Sequence, residues 1–307
     1  MRIRVALYLP MFEWNPSTIF VASAVGGGVG FLSGLFGVGG GFLLVPILNA
    51  VLGVPMPIAV GSTACYTLGP ATTAMLARKP RSGYLELPLI LSGGLFVGVW
   101  TGTRALSWLQ DTSTMMVMGR SLPAVELIVL LSYGVLMIGI AAMSLLDAFS
   151  VQPAAGVRRR GILTSMALPP VADIPDLRPG VYSIPLLAWT GLVVGFLSGF
   201  LGMSGGLVLV PAAIYLLGLR VHDATTVTIV IVWLVSIQST FMHTLHNNVS
   251  LSLVAALLLC GTIGANIGSQ LGMRWHGSRL KLGFGLMVLA AAGIVIVKLC
   301  MLWARAS

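Results

Sequence analysis

Charged side chains are scarce in this sequence of 307 residues. Lys and Arg number 17 and Asp and Glu number 8, so charged residues make up 8% of the chain, against about 25% in ordinary soluble domains. So few charges could not cover the surface of a soluble fold of this size. Residues 14–77, 179–219 and 224–273 include no permanently charged residue. Each stretch exceeds the ~20 residues that cross a bilayer core, so we expect an integral membrane protein with several crossings.

Cysteines and basic residues exclude two further kinds of site. Cys65, Cys260 and Cys300 lie in apolar runs without the paired spacing of a disulfide or a metal site, so we expect small buried thiols, no metal and no cofactor. The net charge of +9 comes from short clusters between apolar runs, which orient membrane segments and do not bind nucleic acid. Residues 1–16 lack a small-residue cleavage site, which predicts a retained segment.

A glycine-rich element occurs twice. Residues 30–46 read GFLSGLFGVGGGFLLVP and residues 195–211 read GFLSGFLGMSGGLVLVP, with eleven of seventeen positions identical at a constant offset of 165. The same offset pairs Thr63 with Thr228. We interpret the chain as a duplication of one unit.

Each copy divides into five apolar segments, predicted at 17–36, 41–54, 57–77, 85–109, 122–148, 184–202, 205–219, 222–243, 249–272 and 279–303. The predicted organisation is an N-terminal segment 1–16, membrane repeat 17–148, a cytoplasmic linker 149–183, membrane repeat 184–303 and a tail 304–307. The second segment of each repeat would be about 20 Å long as a helix, less than the ~30 Å hydrocarbon core. We therefore expect an all-α fold of eight to ten transmembrane or re-entrant helices, broken at the glycines.

Basic loops predict the orientation of the two repeats. Positive side chains mark cytoplasmic loops, and they follow the third segment of the first repeat but the fourth segment of the second: Arg78, Lys79, Arg81, Arg274, Arg279 and Lys281. The cluster of positive charge therefore follows a different segment in each copy. An odd number of membrane crossings per copy produces this difference, so the repeats should have inverted topology. This tracing places the linker with Arg158–Arg160 in the cytoplasm and both termini outside.

The glycine clusters 37–41 and 202–206 carry the strongest functional signal. A helix interrupted inside a membrane leaves unpaired N–H groups at a positive dipole end, which can bind an anion at the interface of inverted repeats. The alternative is close helix packing by small residues. Because each cluster stands beside a short segment and a proline, we prefer the binding hypothesis. The predicted backbone contacts are Gly39, Gly40, Gly41, Ser204, Gly205 and Gly206.

Polar side chains in the apolar segments complete the predicted site, at Ser33, Thr63, Thr73, Ser198, Thr228 and Gln238. Most Ser and Thr in membrane helices bond only to their own carbonyls, whereas Gln238 is costlier to bury and takes the place of Thr73 under the 165-residue offset. Glu126 and His243 are candidates for a proton relay, and a solvated helix end is the alternative for both.

Ser204 suggests an alternative function, that of an intramembrane enzyme. The run Gly202-Met203-Ser204-Gly205 matches the GxSG of intramembrane serine proteases, and His243 could act as base. The first copy has Gly39 at the place of Ser204, so the loop persists without a nucleophile. That class of protease is also not built from inverted repeats, so we expect no catalytic residue and no enzyme.

The doubled elements FLSGLFGVGGG and FLSGFLGMSGG, with the VP that follows and A-x-x-x-T at 59–63 and 224–228, resemble the TauE/SafE sulfite exporter family, or TSUP permeases. The resemblance spans about Ser17 to Lys298. It implies a carrier of small sulfur-containing or carboxylated organic anions, such as sulfite, sulfoacetate or thiosulfate, without an ATP-binding domain. The Arg-rich linker and Glu126 depart from the family pattern.

The expected function is therefore alternating-access transport of such an anion across the bacterial inner membrane, with an anion channel as the alternative. The expected partners are the small anion, the lipid bilayer and, as a homodimer, a second copy of the chain. Nucleic acid is not expected.

Ser204→Ala separates transport from proteolysis. We expect the variant to retain anion uptake in proteoliposomes, because the loop needs a small residue at this position and not a nucleophile. Abolished uptake together with loss of a peptide-cleaving activity of the wild-type protein would favour the protease.

Overall fold

A computed structural model describes residues 16–80, 83–111, 114–117, 120–149, 168–174, 181–275 and 277–305. Residues 1–15 and the linker arginines Arg158–Arg160 lie outside these ranges. The described chain contains ten α-helices: α1 Pro16–Phe36, α2 Gly41–Val51, α3 Met56–Arg78, α4 Gly83–Gln110, α5 Ala124–Phe149, α6 Ile184–Leu201, α7 Gly206–Pro211, α8 Val221–Leu245, α9 Leu251–Arg274 and α10 Gly277–Arg305.

Seven of the described helices are long and apolar enough to cross a membrane, namely α1, α4, α5, α6, α8, α9 and α10. Large apolar side chains are exposed along them, for example Val135 at 72% and Ile263 at 61%. In water this exposure would be unfavourable, whereas lipid tails solvate it. The protein is thus an all-α, multi-pass membrane protein.

The remaining three helices differ from these seven in composition or length. Helix α3 has 23 residues but is rich in Ser, Thr and Gly, and it packs between α8 and α9, so its surroundings are largely protein. Helix α2 has 11 residues and α7 has 6. The segment predicted at 205–219 is not one uniform helix, because α7 ends at Pro211 and continues as a π-helical turn, Ala212–Leu216. Proline lacks the N–H that a continuous helix needs, which favours a change of hydrogen-bond pattern here.

The helices interlock between the two halves of the chain. Helix α1 packs along α9, and α6 packs along α4. In addition, α3 packs on α9, and α8 packs on α4. Counting α1–α5 as one unit and α6–α10 as the other, the first and third helices of each unit pack against the fourth helix of the other.

Glycines form the two longest seams. A Cβ on Gly26, Gly30 or Gly34 of α1 would overlap a backbone carbonyl of α9. Helix α6 makes the same contact with α4 through Gly191, Gly195 and Gly199. Small residues let membrane helices approach to backbone contact, where dispersion forces are strongest. Glycine is therefore required along both seams.

The equivalent helices run antiparallel. Along α3 and α8, Trp233 Nε1 donates to Thr72 Oγ1 at 2.9 Å, and Arg78 Nη1 donates to Thr225 Oγ1 at 2.8 Å, so residue numbers rise along one helix as they fall along the other. Helices α5 and α10 are also antiparallel, because Glu126 at the start of α5 lies near the end of α10. Inverted repeats would have this relation; the duplication and the domain boundaries remain predictions from the sequence.

Two short β-hairpins accompany the helices of the expected all-α architecture. Strands β1 Thr114–Val117 and β2 Arg120–Pro123 pair before α5, and β3 Val171–Asp173 and β4 Val181–Ser183 pair before α6. Tyr182 of β4 is 1% exposed and packs in an apolar cluster with α4 and α8. The described end of the linker is therefore packed against the helical body.

The glycine seam predicts a matched pair of variants. Gly30→Ala places a methyl group on the Gly261 carbonyl, whereas a Cβ on Gly28 meets nothing within 4 Å. We expect Gly30→Ala to destabilise the protein by about 1–3 kcal/mol, as overpacking does, and Gly28→Ala to leave its stability unchanged or raised. Thermal unfolding in detergent, followed by size-exclusion fluorescence, measures both. Equal melting temperatures would contradict the seam.

Candidate functional site

The chain leaves the helical conformation between α1 and α2, and again between α6 and α7. At these two places the residues with positive φ are Gly37 (69°), Gly39 (81°), Gly40 (73°), Gly202 (71°), Ser204 (53°) and Gly205 (73°). This region costs a residue with a Cβ about 1–2 kcal/mol, so glycine is favoured. The repeated glycine clusters are therefore the breaks themselves, which we call break 1 (residues 37–41) and break 2 (residues 202–206).

Each break leaves backbone N–H groups free. Gly40 and Gly205 stand at the N-caps of α2 and α7 and make no side-chain capping bond. The first turns close on their carbonyls, for example from Leu43 N to Gly40 O at 3.1 Å. Ahead of these turns, six N–H groups have no acceptor among the described residues: Gly39, Gly40, Gly41, Ser204, Gly205 and Gly206. A helix start of this kind is suited to an anion.

The two breaks lie against each other. A Cβ on Gly41 would lie 2.9 Å from the carbonyl oxygen of Gly202 and 3.1 Å from the carbonyl carbon of Met203. From the other side, a Cβ on Gly206 would overlap the Val38 carbonyl. The six predicted backbone contacts, which are 165 residues apart in sequence, are thus brought into one region.

One face of α3 forms a wall of this region. A Cβ on Gly202 would lie 2.6 Å from Val60 O, and one on Gly39 would lie 3.0 Å from Thr67 Cγ2. Val60, Thr63 and Thr67 are spaced three and four residues apart, so they share a helix face. Thr63 therefore lies on the face of α3 that contacts both breaks.

The matching face of α8 forms the opposite wall. A Cβ on Gly37 would lie 2.7 Å from Thr225 O, and Gly39 also packs against Val232. Thr228 stands between Thr225 and Val232 at helical spacing, so it shares their face. Two of the three threonines that the sequence predicts for the site, Thr63 and Thr228, are therefore on the walls of the breaks.

Four hydroxyl groups around the breaks have no hydrogen-bond partner. They belong to Ser33, Thr63, Ser198 and Thr228, and these residues are at most 1% exposed. Ser33 lies beside break 1, since a Cβ on Gly40 would be 3.1 Å from its Cβ. An unsatisfied buried hydroxyl costs about 1–3 kcal/mol, and natural proteins seldom tolerate four together without a purpose. This arrangement can offer hydroxyl and amide donors to one small acceptor-rich ligand.

Ser204 has a partner, but it is not His243. Ser236 Oγ donates to Ser204 Oγ at 2.9 Å, and neither ring nitrogen of His243 has a hydrogen-bond partner. A serine nucleophile needs a base within hydrogen-bond reach. The Ser204–His243 pairing of the protease reading is absent from the described structure.

Thr73 and Gln238 stand apart from the walls. Thr73 Oγ1 donates to Gly69 O of its own helix at 2.9 Å. Gln238 follows Ser236 by two residues, which is about 200° around α8, so its side chain leaves the helix away from break 2. Its Oε1 atom is buried without a partner. These two positions join the predicted set by sequence offset, and within the described residues neither side chain makes a hydrogen bond to a break.

The two candidates for a proton relay have different surroundings. Glu126 Oε1 lies 3.4 Å from Lys298 Nζ, and the same ammonium group donates to Asn49 O at the end of α2 at 3.3 Å. The Glu126 carboxylate is therefore held by a cation that also ties α2 to α10. His243 is 0% exposed and lies beside the Gly199 carbonyl at the end of α6.

Comparison with known proteins decides the family. The family model described as sulfite exporter TauE/SafE matches residues 5–119 and 116–295, close to the whole chain. The chain belongs to this family. Two proteins named "Probable membrane transporter protein", from Xylella fastidiosa strains 9a5c and Temecula1, are each 26% identical over 287 residues, or 91% of this chain and 95% of theirs. No solved structure matches the chain.

Sequence reasoning missed one residue of this TauE/SafE protein. From the sequence alone Arg78 is only an orientation signal, yet Arg78 Nη2 donates to Gly34 O at 2.8 Å and to Leu35 O at 3.4 Å. It thereby satisfies carbonyls that the end of α1 leaves unpaired. Its alignment with His243 at the 165-residue offset was the signal that could have revealed it.

Removing Arg78 should destabilise this protein. Arg78→Met leaves the carbonyls of Gly34 and Leu35 without donors, which should lower stability by about 1–3 kcal/mol. Lys79→Met is the matched control, because Lys79 is exposed next to it. Thermal unfolding in detergent compares the two variants, and an unchanged melting temperature for Arg78→Met would show that the carbonyls have another donor.

Proposed function

We propose that this membrane transporter carries small sulfur-containing or carboxylated organic anions, such as sulfite, sulfoacetate or thiosulfate, by alternating access. The observation that carries the proposal is the contact of two helix breaks whose N–H groups and neighbouring hydroxyls lack partners. Donors without acceptors in a buried region call for an acceptor-rich ligand, and an oxyanion head group is one.

Backbone amides and hydroxyls suit the work of a carrier. The N–H groups of Gly39–Gly41 and Ser204–Gly206 would hold the anionic head, and Ser33, Thr63, Ser198 and Thr228 would complete the shell. The guanidinium of Arg78 is committed to the end of α1, where it donates to Gly34 O. Binding by neutral donors rather than by a buried arginine keeps affinity moderate, so that bound anion can leave on the opposite side.

Alternating access is supported by how the helices pack. The breaks lie on the crossing of α3 and α8, which are equivalent and antiparallel. In an inverted-repeat transporter, one unit rocks against the other around a fixed central site. The site residues Ser33, Thr63, Ser198 and Thr228 are closed off from solvent in the described conformation, as an occluded carrier state would be. We place the protein in the bacterial inner membrane, and a homodimer is the proposed assembly.

A channel is the second candidate, and kinetics separate it from a carrier. Counterflow that saturates with substrate concentration in proteoliposomes supports a carrier. Single-channel conductance in planar bilayers would overturn it. Sulfite, sulfoacetate, thiosulfate, taurine and simple carboxylates are the ligands to screen first, and failure of all of them to bind or move would overturn the anion assignment.

The unpaired hydroxyls give the proposal a distinctive mutational signature. Ser33→Ala and Ser198→Ala should each weaken anion binding by about tenfold, the value of one hydrogen bond to a charged group. Neither should lower the melting temperature, because no protein bond is lost. Isothermal titration and thermal unfolding in the same detergent measure the two effects.

Ser23→Ala is the matched control for this signature. Ser23 Oγ donates to Ala256 O at 2.9 Å on the α1–α9 seam, away from the breaks. Its removal should lower stability by about 1 kcal/mol and leave anion affinity unchanged. Loss of stability without loss of affinity in Ser33→Ala would remove this hydroxyl from the proposed site.

A further inference from the structure

The ends of the two broken helices are matched but differ in charge. Arg78 and His243 are 165 residues apart, as are Gly34 and Gly199. At the end of α1 the Arg78 guanidinium donates to Gly34 O at 2.8 Å. At the end of α6 the His243 imidazole lies beside Gly199 O. Side chains at equivalent positions thus face carbonyls at equivalent positions. Arg78 carries a permanent charge, whereas His243 does not.

The His243 ring is buried without the bonds that a neutral imidazole needs. It is 0% exposed, and neither Nδ1 nor Nε2 meets the geometry of a hydrogen bond with a described residue. A neutral ring requires one acceptor and one donor as partners, whereas an imidazolium requires two acceptors. The Gly199 carbonyl, at the negative end of the α6 dipole, is an acceptor that favours a cation. Burial in the closed conformation and the neighbouring His246 disfavour a charged ring. Water that reached the ring would remove the penalty of burial and leave the Gly199 carbonyl to favour the imidazolium.

Ionisable groups around His243 are few. On its own helix the next one is His246, and on α4 they are Arg104 and Asp111, which line the same cleft as His246. On α3, Cys65 lies near Thr240, one turn from His243, and on α5 the Tyr133 hydroxyl donates to Leu201 O at 2.7 Å. Helix α6 itself has no ionisable side chain. None of these groups is placed to neutralise an imidazolium by direct contact within the described residues.

A cleft gives water a route to the ring. It has a volume of about 490 Å³ and lies between α4 and α8, with Thr103, Arg104, Asp111 and His246 in its lining. Thr103 forms its inner wall and packs on Gly199, since a Cβ there would lie 3.0 Å from Thr103 Oγ1. His246 is one turn beyond His243. Thr103 therefore stands between the cleft and Gly199, whose carbonyl lies beside His243.

We propose that His243 is the proton-binding site that couples proton movement to anion transport. In the closed conformation the ring is neutral. When the cleft reaches it, a hydronium ion transfers one proton to a ring nitrogen and leaves water behind. The imidazolium then donates to Gly199 O, which gives α6 the cationic cap that Arg78 gives permanently to α1. When the site closes and opens to the opposite side, the proton leaves to water. This inference rests on the proposed anion transport.

The wild-type protein supplies the first test. Proteoliposomes containing a trapped pH indicator are given thiosulfate and then sulfoacetate, first for counterflow without a pH gradient and then for uptake with one. We expect proton movement to accompany net uptake, and a gradient to raise uptake by about fivefold or more, the usual range of coupling between linked sites. Absent counterflow would overturn the proposed function. Counterflow together with proton-free net uptake would overturn the His243 inference alone.

Two substitutions then assign the proton to His243. His243→Gln keeps a neutral donor, and His243→Arg copies the permanent charge of the equivalent position. Both should retain counterflow while losing the stimulation by the gradient and the indicator signal. His222→Gln is the control, because His222 is exposed at the opposite end of α8, and it should behave as wild type. Full stimulation in a His243 variant that retains counterflow would overturn the assignment, as would loss of stimulation in His222→Gln.

Discussion

Backbone polar groups inside a bilayer have no water to bind, so a break in a membrane helix must be satisfied by protein or by ligand. Most of this fold can be understood from that constraint. The described helices break twice, and at each break part of the carbonyl side is satisfied from within. Arg78 serves Gly34 and Leu35, while the Tyr133 hydroxyl serves Leu201. The N–H side is left open at both breaks, as the proposed anion site requires.

The position of the breaks depends on the glycine seams. Helices α1 and α9 approach to backbone contact, and α4 and α6 do the same. The broken helices are thereby fixed against long, continuous ones from the other half of the chain. Helices α2 and α7 are too short to span the membrane, and they are supported by α3 and α8. Long helices thus form a scaffold around short ones, so the unpaired amides are held in place without a side chain to cap them.

Much of this could be predicted from the sequence because the relevant signals are local. Scarce charge identifies the membrane, and the repeated glycine clusters mark the breaks, because only glycine adopts their positive φ without strain. Thr63 and Thr228 could be placed by their shared offset and helical spacing. What the sequence could not supply depends on contacts between distant segments. The contact of Arg78 with the α1 carbonyls, the partner of Ser204 in Ser236, and the ion pair of Glu126 with Lys298 all join different helices. Gln238 shows the limit of the offset argument, since an equivalent sequence position does not require the same contacts.

The exchanged packing of the halves also constrains how the chain is assembled. Helix α1 is among the first segments to be synthesised, but its main partner, α9, begins at Leu251. Until α9 has been inserted, the glycine face of α1 can contact only lipid or a provisional neighbour. The same delay is shorter for α4, whose partner α6 begins at Ile184. Such long-range pairing makes for slow folding with exposed intermediates. The N-terminal half emerging from the ribosome is thus an incomplete scaffold, because the main packing partners of α1 and α4 are synthesised only with the second half.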